Sequence, residues 1–167
     1  RSELVNALFG KIGRTAGSVT LEGRELDIRS PRDAVQAGLA LVTEDRKADG
    51  FVSVMSIKEN STLANLRAVS RLGRIDGAEE RKLAGAYFES LKIKAPGLDA
   101  RLETLSGGNQ QKVVLAKWLI SEPKVLILDE PTRGIDVGAK DENYKIIKEI
   151  ACRGLCIIMK YSELPEL

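Results

Sequence analysis

The chain has 167 residues, 26 of them Lys or Arg and 24 Asp or Glu, for a formal net charge of +2. That near-balance excludes nucleic-acid binding by bulk basic potential, and an aromatic content of 4 % leaves little for a base-stacking platform. With 0 histidines, no Ser–His or Cys–His couple, imidazole metal ligand or histidine switch can be built from this chain alone. From the N-terminus, residues 2–9 read as a helix: Ser2 caps it, Leu4, Val5, Leu8 and Phe9 form its apolar face, and Gly10 and Gly13 end it. Residues 18–21 read as a strand running into a tight turn at 22–24. Ser30, Pro31 and Gly38 bracket a second helix as N-cap, first helical residue and left-handed C-terminal cap. Leu39-Ala40-Leu41-Val42 is then wholly apolar, the pattern of a strand buried on both faces of a parallel sheet.

From Ser56 to about Leu105 the pattern turns helical and polar, with no strong strand signal. Ser56-Ile57-Lys58-Glu59 has the form of a capping box, residues 78–91 form an amphipathic helix, and Ala95-Pro96-Gly97 breaks it. This stretch reads as an all-helical insert. After it, residues 110–120 read as a helix, 124–128 as a buried strand, 140–151 as a helix stopped by Gly154, and 155–159 as another buried strand. Strand–helix–strand units of this length favour a parallel sheet with right-handed crossovers. Cys152 and Cys156 are too few for a disulfide framework and read as small core residues in a reducing compartment. Trp118 reads as core, and the basic pairs Arg46-Lys47 and Arg81-Lys82 as solvated faces. The longest apolar runs fall far short of the ~20 residues of a membrane span. The chain starts without Met and stops in mid-pattern, so both ends read as cuts in a longer protein.

Two runs carry chemistry. In Leu105-Ser106-Gly107-Gly108-Asn109-Gln110-Gln111-Lys112, a Ser and two Gly precede a long helix. Glycines there let the backbone approach an anion, and the free N–H groups and positive dipole end of the helix favour phosphate. In Val125-Leu126-Ile127-Leu128-Asp129-Glu130-Pro131-Thr132, four apolar residues put Asp129 at the carboxyl end of a buried strand, where open α/β sheets place their ligands. An Asp there can hold Mg²⁺, directly or through water, beside nucleotide phosphates, and Glu130 can polarise an attacking water; the same run also reads as a strand ending in a solvated acidic turn.

These runs stand in order, one helix apart, and are followed by Arg133-Gly134-Ile135-Asp136. Together they resemble the ATP-binding cassette family over essentially the whole chain. Leu105 to Lys112 looks like its signature motif, Leu126 to Glu130 like its Walker B strand, and Gly134 to Asp136 like its D-loop, which faces an opposite cassette. The resemblance implies an α/β, P-loop NTPase-like core with a mainly parallel sheet (residues 1–50 and 111–167) and an inserted helical signature subdomain (51–110). The first strands and most of the P-loop are absent from the sequence. Its loss is expected to leave sheet edges unpaired and isolated ATP affinity weak. The wording of residues 105–112, 129–140 and 162–166, with Glu44-Asp45-Arg46-Lys47 and Gly50, resembles the second cassette of bacterial simple-sugar importers of the ribose, xylose and galactoside type. Residues 40–44 and Glu59-Asn60-Ser61 lean toward the galactoside branch.

The resemblance implies ATP and Mg²⁺ as cofactors. Nucleotide contacts then fall on Arg1, Ser2, Leu105, Ser106, Gly107, Gly108 and Gln111, metal contacts on Ser2 and Asp129, and the catalytic carboxylate on Glu130. Gly134 and Asp136 represent the D-loop. It implies as partners an N-terminal or otherwise paired cassette, an integral-membrane permease and, indirectly, an extracytoplasmic sugar-binding protein, with no nucleic acid. The implied location is the cytoplasmic face of the bacterial inner membrane. Three positions depart from the pattern. Arg1 stands where the P-loop lysine belongs, Glu44 where the Q-loop glutamine belongs, and Ser162 where the switch histidine belongs. Lys160-Tyr161 stand where a small or aliphatic pair is expected. Two readings follow: a sugar-importer ATPase lending its signature to ATP on a partner cassette, or a degenerate structural and regulatory cassette that binds but barely hydrolyses ATP. A DNA-repair or translation cassette is disfavoured by the balanced charge, and Arg133 is a candidate to reach across the cassette interface.

Overall fold

The computed structural model describes residues 2–161, Ser2 through its backbone alone. In chain order come α1 (Ser2–Leu8), a small antiparallel pair β1 (Thr20–Leu21) and β2 (Arg24–Glu25), α2 (Pro31–Gln36) and β3 (Leu39–Val42). A π-helical turn at Arg46–Gly50 leads into α3 (Ile57–Thr62), a 3-10 stretch over Leu63–Val69, the hairpin β4 (Ser70–Arg71) and β5 (Arg74–Ile75), and α4 (Gly77–Ser90). A 3-10 turn at Leu102–Thr104 precedes α5 (Gly107–Leu119), β6 (Val125–Asp129), α6 (Val137–Cys152) and β7 (Cys156–Lys160).

The core is a parallel sheet of order β3-β6-β7. Alternation along its strands sorts side chains into two layers. Leu39, Leu41, Val125 and Ile127 face α1 and α2, meeting Val5, Phe9 and Ala34. Ala40, Val42, Leu126 and Leu128 face the opposite way, onto Val113 and Val114 of α5 and Ile147 of α6. Both faces of β3 and β6 are thus covered, which is why their sequences are unbroken apolar runs. Each fully buried Leu contributes roughly 1.5–3 kcal/mol relative to an exposed one.

α5 is buried over most of its circumference because the sheet covers one side and α3 and α4 the other. Even its lysines lie inside. Lys112 Nζ donates to Lys92 O at 2.9 Å and pairs with Glu142 at 3.1 Å, holding the Glu142 carboxyl below the usual range. Lys117 Nζ donates to Gly50 O at 2.5 Å and lies 4.9 Å from the Trp118 ring centroid. The helical part is centred on α3. Ser56 and Glu59 close the capping box, with Ser56 N–H donating to Glu59 Oε2 at 2.7 Å and Ser56 Oγ accepting from Glu59 N–H. Asn60 clamps the preceding loop: its amide donates to the carbonyls of Val52, Met55 and Ser56 and accepts from Val52 N–H at 2.8 Å.

Four expectations are corrected. The middle segment contains a hairpin, β4–β5, turned at Leu72 (φ 49°) and Gly73 (φ 78°). β7 is not buried on both faces: it lies outermost in the three-stranded order, and Cys156, Ile158 and Met159 are exposed. Both cysteines are exposed rather than core, Cys152 at the end of α6 and Cys156 on the open face of β7. Arg46 of the supposedly solvated pair is half-buried, and desolvation lowers its guanidinium pKa from the ordinary value. Trp118 is half-buried and meets Phe9 edge-on, ring centroids 5.8 Å apart. No helix of the described residues is long and apolar enough to cross a membrane.

Candidate nucleotide-facing site

β6 ends on Asp129, buried to 4 %, and the chain then turns sharply at Glu130, whose φ of 49° is a left-handed value that a non-glycine residue rarely adopts. The turn is held by Glu130 N–H donating to Lys160 O at 3.1 Å and Arg133 N–H to Glu130 O at 3.0 Å. Such strain persists only where surrounding structure fixes it, and it clusters at functional sites. Parallel pairing sets Asp129 directly beside Lys160. The Lys160 ammonium lies 2.8 Å from Asp129 Oδ1 and 3.8 Å from both Glu130 Oε1 and Glu44 Oε2. Its side chain is 15 % exposed.

Glu44 follows β3, so the three carboxylates come from the carboxyl ends of neighbouring strands. Arg133 forms an ion pair with Glu44 from the other side. Arg46 fastens the same turn with a two-pronged contact, Nη1 donating to Arg133 O at 2.6 Å and Nη2 to Gly134 O at 3.0 Å. These residues line an open cleft of about 460 Å³. A smaller hollow of about 190 Å³ beside Asp129 is bounded by Asn6, Lys11, Leu41, Thr43 and Asp49.

The glycine-led helix lies next to this turn. Gly107 and Gly108 are the first residues of α5, three positions before the expected start, with Ser106 as N-cap. Ser106 is exposed and its side chain does not cap α5; its Oγ accepts from Asn109 Nδ2 at 3.0 Å, while Asn109 Oδ1 accepts from Lys94 N–H. The first N–H groups of α5 thus have no side-chain cap and Ser106 is exposed, an arrangement that suits phosphate. Gly107 passes so close to the neighbouring turn that a Cβ would stand 2.8 Å from Arg46 Nη2 and 3.1 Å from Gly134 O. At Gly108 a Cβ would meet Ala139 Cβ of α6 at 2.7 Å. Asp136 is exposed and caps α6, accepting from Ala139 N–H at 2.9 Å.

The structure thus brings together Glu44, Asp129, Glu130 and Gly134 on one side of the Arg46 bridge, and Ser106 and Gly107 on the other. Leu105 and Gly108 are buried support for the helix start. Gln111 is buried to 2 %, with no hydrogen-bond partner for its Nε2 among the described residues, so it does not stand on the outward face with Ser106. Arg1, the Ser2 side chain and Ser162 lie outside the described residues. Sequence reasoning gave Arg46 a solvated face and marked Lys160 only as a departure from the pattern, so the part each plays at this site was missed. The signal for Lys160 is that two apolar runs, 125–128 and 156–159, are each followed directly by a charged residue, Asp129 and Lys160, and adjacent parallel strands align their ends.

The outward start of α5 fits the phosphates of ATP. The carboxylates do not fit a magnesium ion as they stand. Asp129 Oδ1 and Glu130 Oε1 are buried, which suits a cation, but the cation beside them is Lys160. Among the described residues no group of three or more His, Cys, Asp or Glu is arranged to hold a metal. Beside Asp129, the place expected for a metal is taken in this structure by the Lys160 ammonium.

The chain is 54 % identical over 168 residues to the xylose import ATP-binding protein XylG of Geobacillus kaustophilus, a match covering 100 % of this chain and 33 % of that protein. It is 50 % identical over 167 residues to the ribose import ATP-binding protein RbsA of Chromobacterium violaceum, again covering 100 % and 33 %. The chain therefore spans about a third of the length of the curated relatives it matches. Among solved structures it is similar to the ADP conformation of MJ1267, an ATP-binding cassette of an ABC transporter. The TM-score is 0.78 at 19 % identity, covering 98 % of this chain and 66 % of that one. Its backbone follows such cassettes almost throughout, and the model of the family described as ABC transporter matches residues 1–133, so the chain belongs to the ABC transporter family.

Proposed function

We propose that this chain is a nucleotide-binding cassette that acts in a pair to energise import of a simple sugar through a membrane permease. One observation carries the reading: the uncapped, outward start of α5 at Ser106 lies against the Gly134 turn, forming a single face able to close on phosphates held by another cassette. In that role Ser106 and the backbone of Gly107 and Gly108 contact the partner's ATP, Leu105 and Gln111 brace the helix, and Gly134 and Asp136 shape the facing turn. Similarity to xylose and ribose import ATP-binding proteins over the whole chain supports a pentose- or galactoside-type sugar, a periplasmic-type binding protein as indirect partner and a place at the cytoplasmic face of the membrane. Arg1 and Ser2 are proposed to serve this cassette's own nucleotide.

The two cassettes are proposed to be unequal, hydrolysis falling mainly on the partner's nucleotide. The Lys160 ammonium among Asp129, Glu130 and Glu44, together with the absence of histidine, favours this over an equal pair. The test is sugar-stimulated ATP hydrolysis by the full-length protein with its permease. Ser106→Arg is expected to abolish it. Glu130→Gln is expected to leave most single-turnover hydrolysis, whereas the equivalent change in the other cassette removes it; the reverse pattern refutes the asymmetry.

A further inference from the structure

We propose that Lys160 replaces the divalent cation at this cassette's own nucleotide site, so that ATP is held there with little dependence on magnesium. The inference rests on the nucleotide-binding reading above. A magnesium ion bonded to Asp129 Oδ1 stands about 2.0–2.1 Å from it. With the ammonium already 2.8 Å from the same oxygen, a metal bonded there would have to share Oδ1 with a tethered cation. Displacing the ammonium is opposed by its surroundings. The Lys160 backbone is fixed in the sheet beside Asp129 and accepts from Glu130 N–H at 3.1 Å. Its side chain is largely buried, and Glu130 and Glu44 both lie 3.8 Å away.

The replacement is electrostatically complete in kind though not in magnitude. One tethered positive charge serves Asp129 and Glu130 while Arg133 offsets Glu44. An ammonium donates three hydrogen bonds and demands no octahedral shell, so it can satisfy a carboxylate and a phosphate oxygen together. It adds no chain entropy loss on nucleotide binding, because the sheet has already positioned it. Taking Lys160 away leaves Asp129 and Glu130 buried beside each other without a counter-charge within 4 Å among the described residues, and a divalent ion then becomes the natural occupant.

The test uses the full-length protein with the P-loop lysine of the other cassette replaced, so that only this site reports. ATP affinity is measured by equilibrium dialysis in EDTA and in Mn²⁺. Mn²⁺ uptake is followed by electron paramagnetic resonance, and thermal unfolding is recorded with and without Mn²⁺ in the absence of nucleotide. In the unaltered site, the two ATP affinities are expected to agree within about threefold, with no tightly held Mn²⁺. In Lys160→Met, affinity in EDTA is expected to fall about tenfold or more, since a charge-assisted contact is lost, and Mn²⁺ is expected to restore it and raise the unfolding temperature. A strong metal requirement in the unaltered site overturns the inference and needs no variant, so the test survives a poorly folding Lys160→Met. Loss of all ATP binding once the other cassette is silenced overturns the nucleotide reading itself, and the inference with it. ATP binding that is metal-dependent and unchanged by Lys160→Met overturns the inference alone.

Discussion

Arg46 shows how one side chain joins two parts of a site. It leaves the turn after β3, passes over Gly107 and binds the carbonyls of Arg133 and Gly134, so the start of α5 and the turn after β6 share one clamp. Only a planar fork reaches both carbonyls at once. Arg46→Lys is expected to cost about 1.5–3 kcal/mol of local stability, the usual worth of charged hydrogen bonds. The check is faster hydrogen exchange at residues 133–135 while the amides of α4 keep their rates. Gly108 answers to a different constraint. Its Cα lies against α6, and the added methyl of Gly108→Ala would stand 2.7 Å from Ala139 Cβ, too close for two rigid helix atoms. Overpacking of that kind costs about 1–3 kcal/mol, expected as a matching loss of exchange protection across the first turns of α5 and α6.

At the scale of elements, α5 carries the clearest electrostatic signature. Burial lowers the Lys117 ammonium from 10.5 to about 8. Below that value the lysine is charged in both folded and unfolded chains. Between about 8 and 10.5 the folded chain has released its proton and the unfolded chain has not, so stability rises with pH through that window. The slope is about 1.4 kcal/mol per pH unit, for a total of roughly 3 kcal/mol. Tyr87 and Tyr161 are pushed up by burial and act in the opposite direction above their ordinary range, so the rise is read best below about pH 9.5. Unfolding measured against pH is expected to show the rise in the parent chain and to lose it in Lys117→Met. The same elements show what was legible in the sequence. β3, β6 and the capping box of α3 were readable because local pattern and final environment agree. β7 misled because Cys156 to Met159 has the same apolar wording as β6 but stands outermost in the sheet, and neighbours decide burial. The β4–β5 hairpin hid behind Leu72, which adopts a left-handed conformation without being glycine or asparagine.

Over the whole molecule, the site is made by alignment across distant segments. Asp129 and Lys160 are 31 positions apart in number and adjacent only because β6 and β7 pair in parallel register. Arg46 and Gly134 are 88 apart and meet only once α5 has been seated between the sheet and the helical part. Sequence spacing therefore exposed the acidic strand end and the glycine-led helix, each a local pattern, and left the roles of both cationic partners unread. The same construction links the two halves mechanically. Lys117 ties α5 to Gly50, Tyr87 of α4 donates to Leu119 O at 3.2 Å, and Asn65 donates to Ile120 O at 3.3 Å. A face assembled in this way is expected to respond to nucleotide as one body. When the full-length protein carrying Glu130→Gln is saturated with ATP, hydrogen exchange is expected to slow together at residues 44–46, 106–109 and 133–136. Ile158, on the open face of β7, is expected to keep its rate. Joint slowing follows from the Arg46 clamp, because ordering either segment restricts the other. Protection of 106–109 without 133–136 would show that the signature end moves on its own and that the clamp does not couple them.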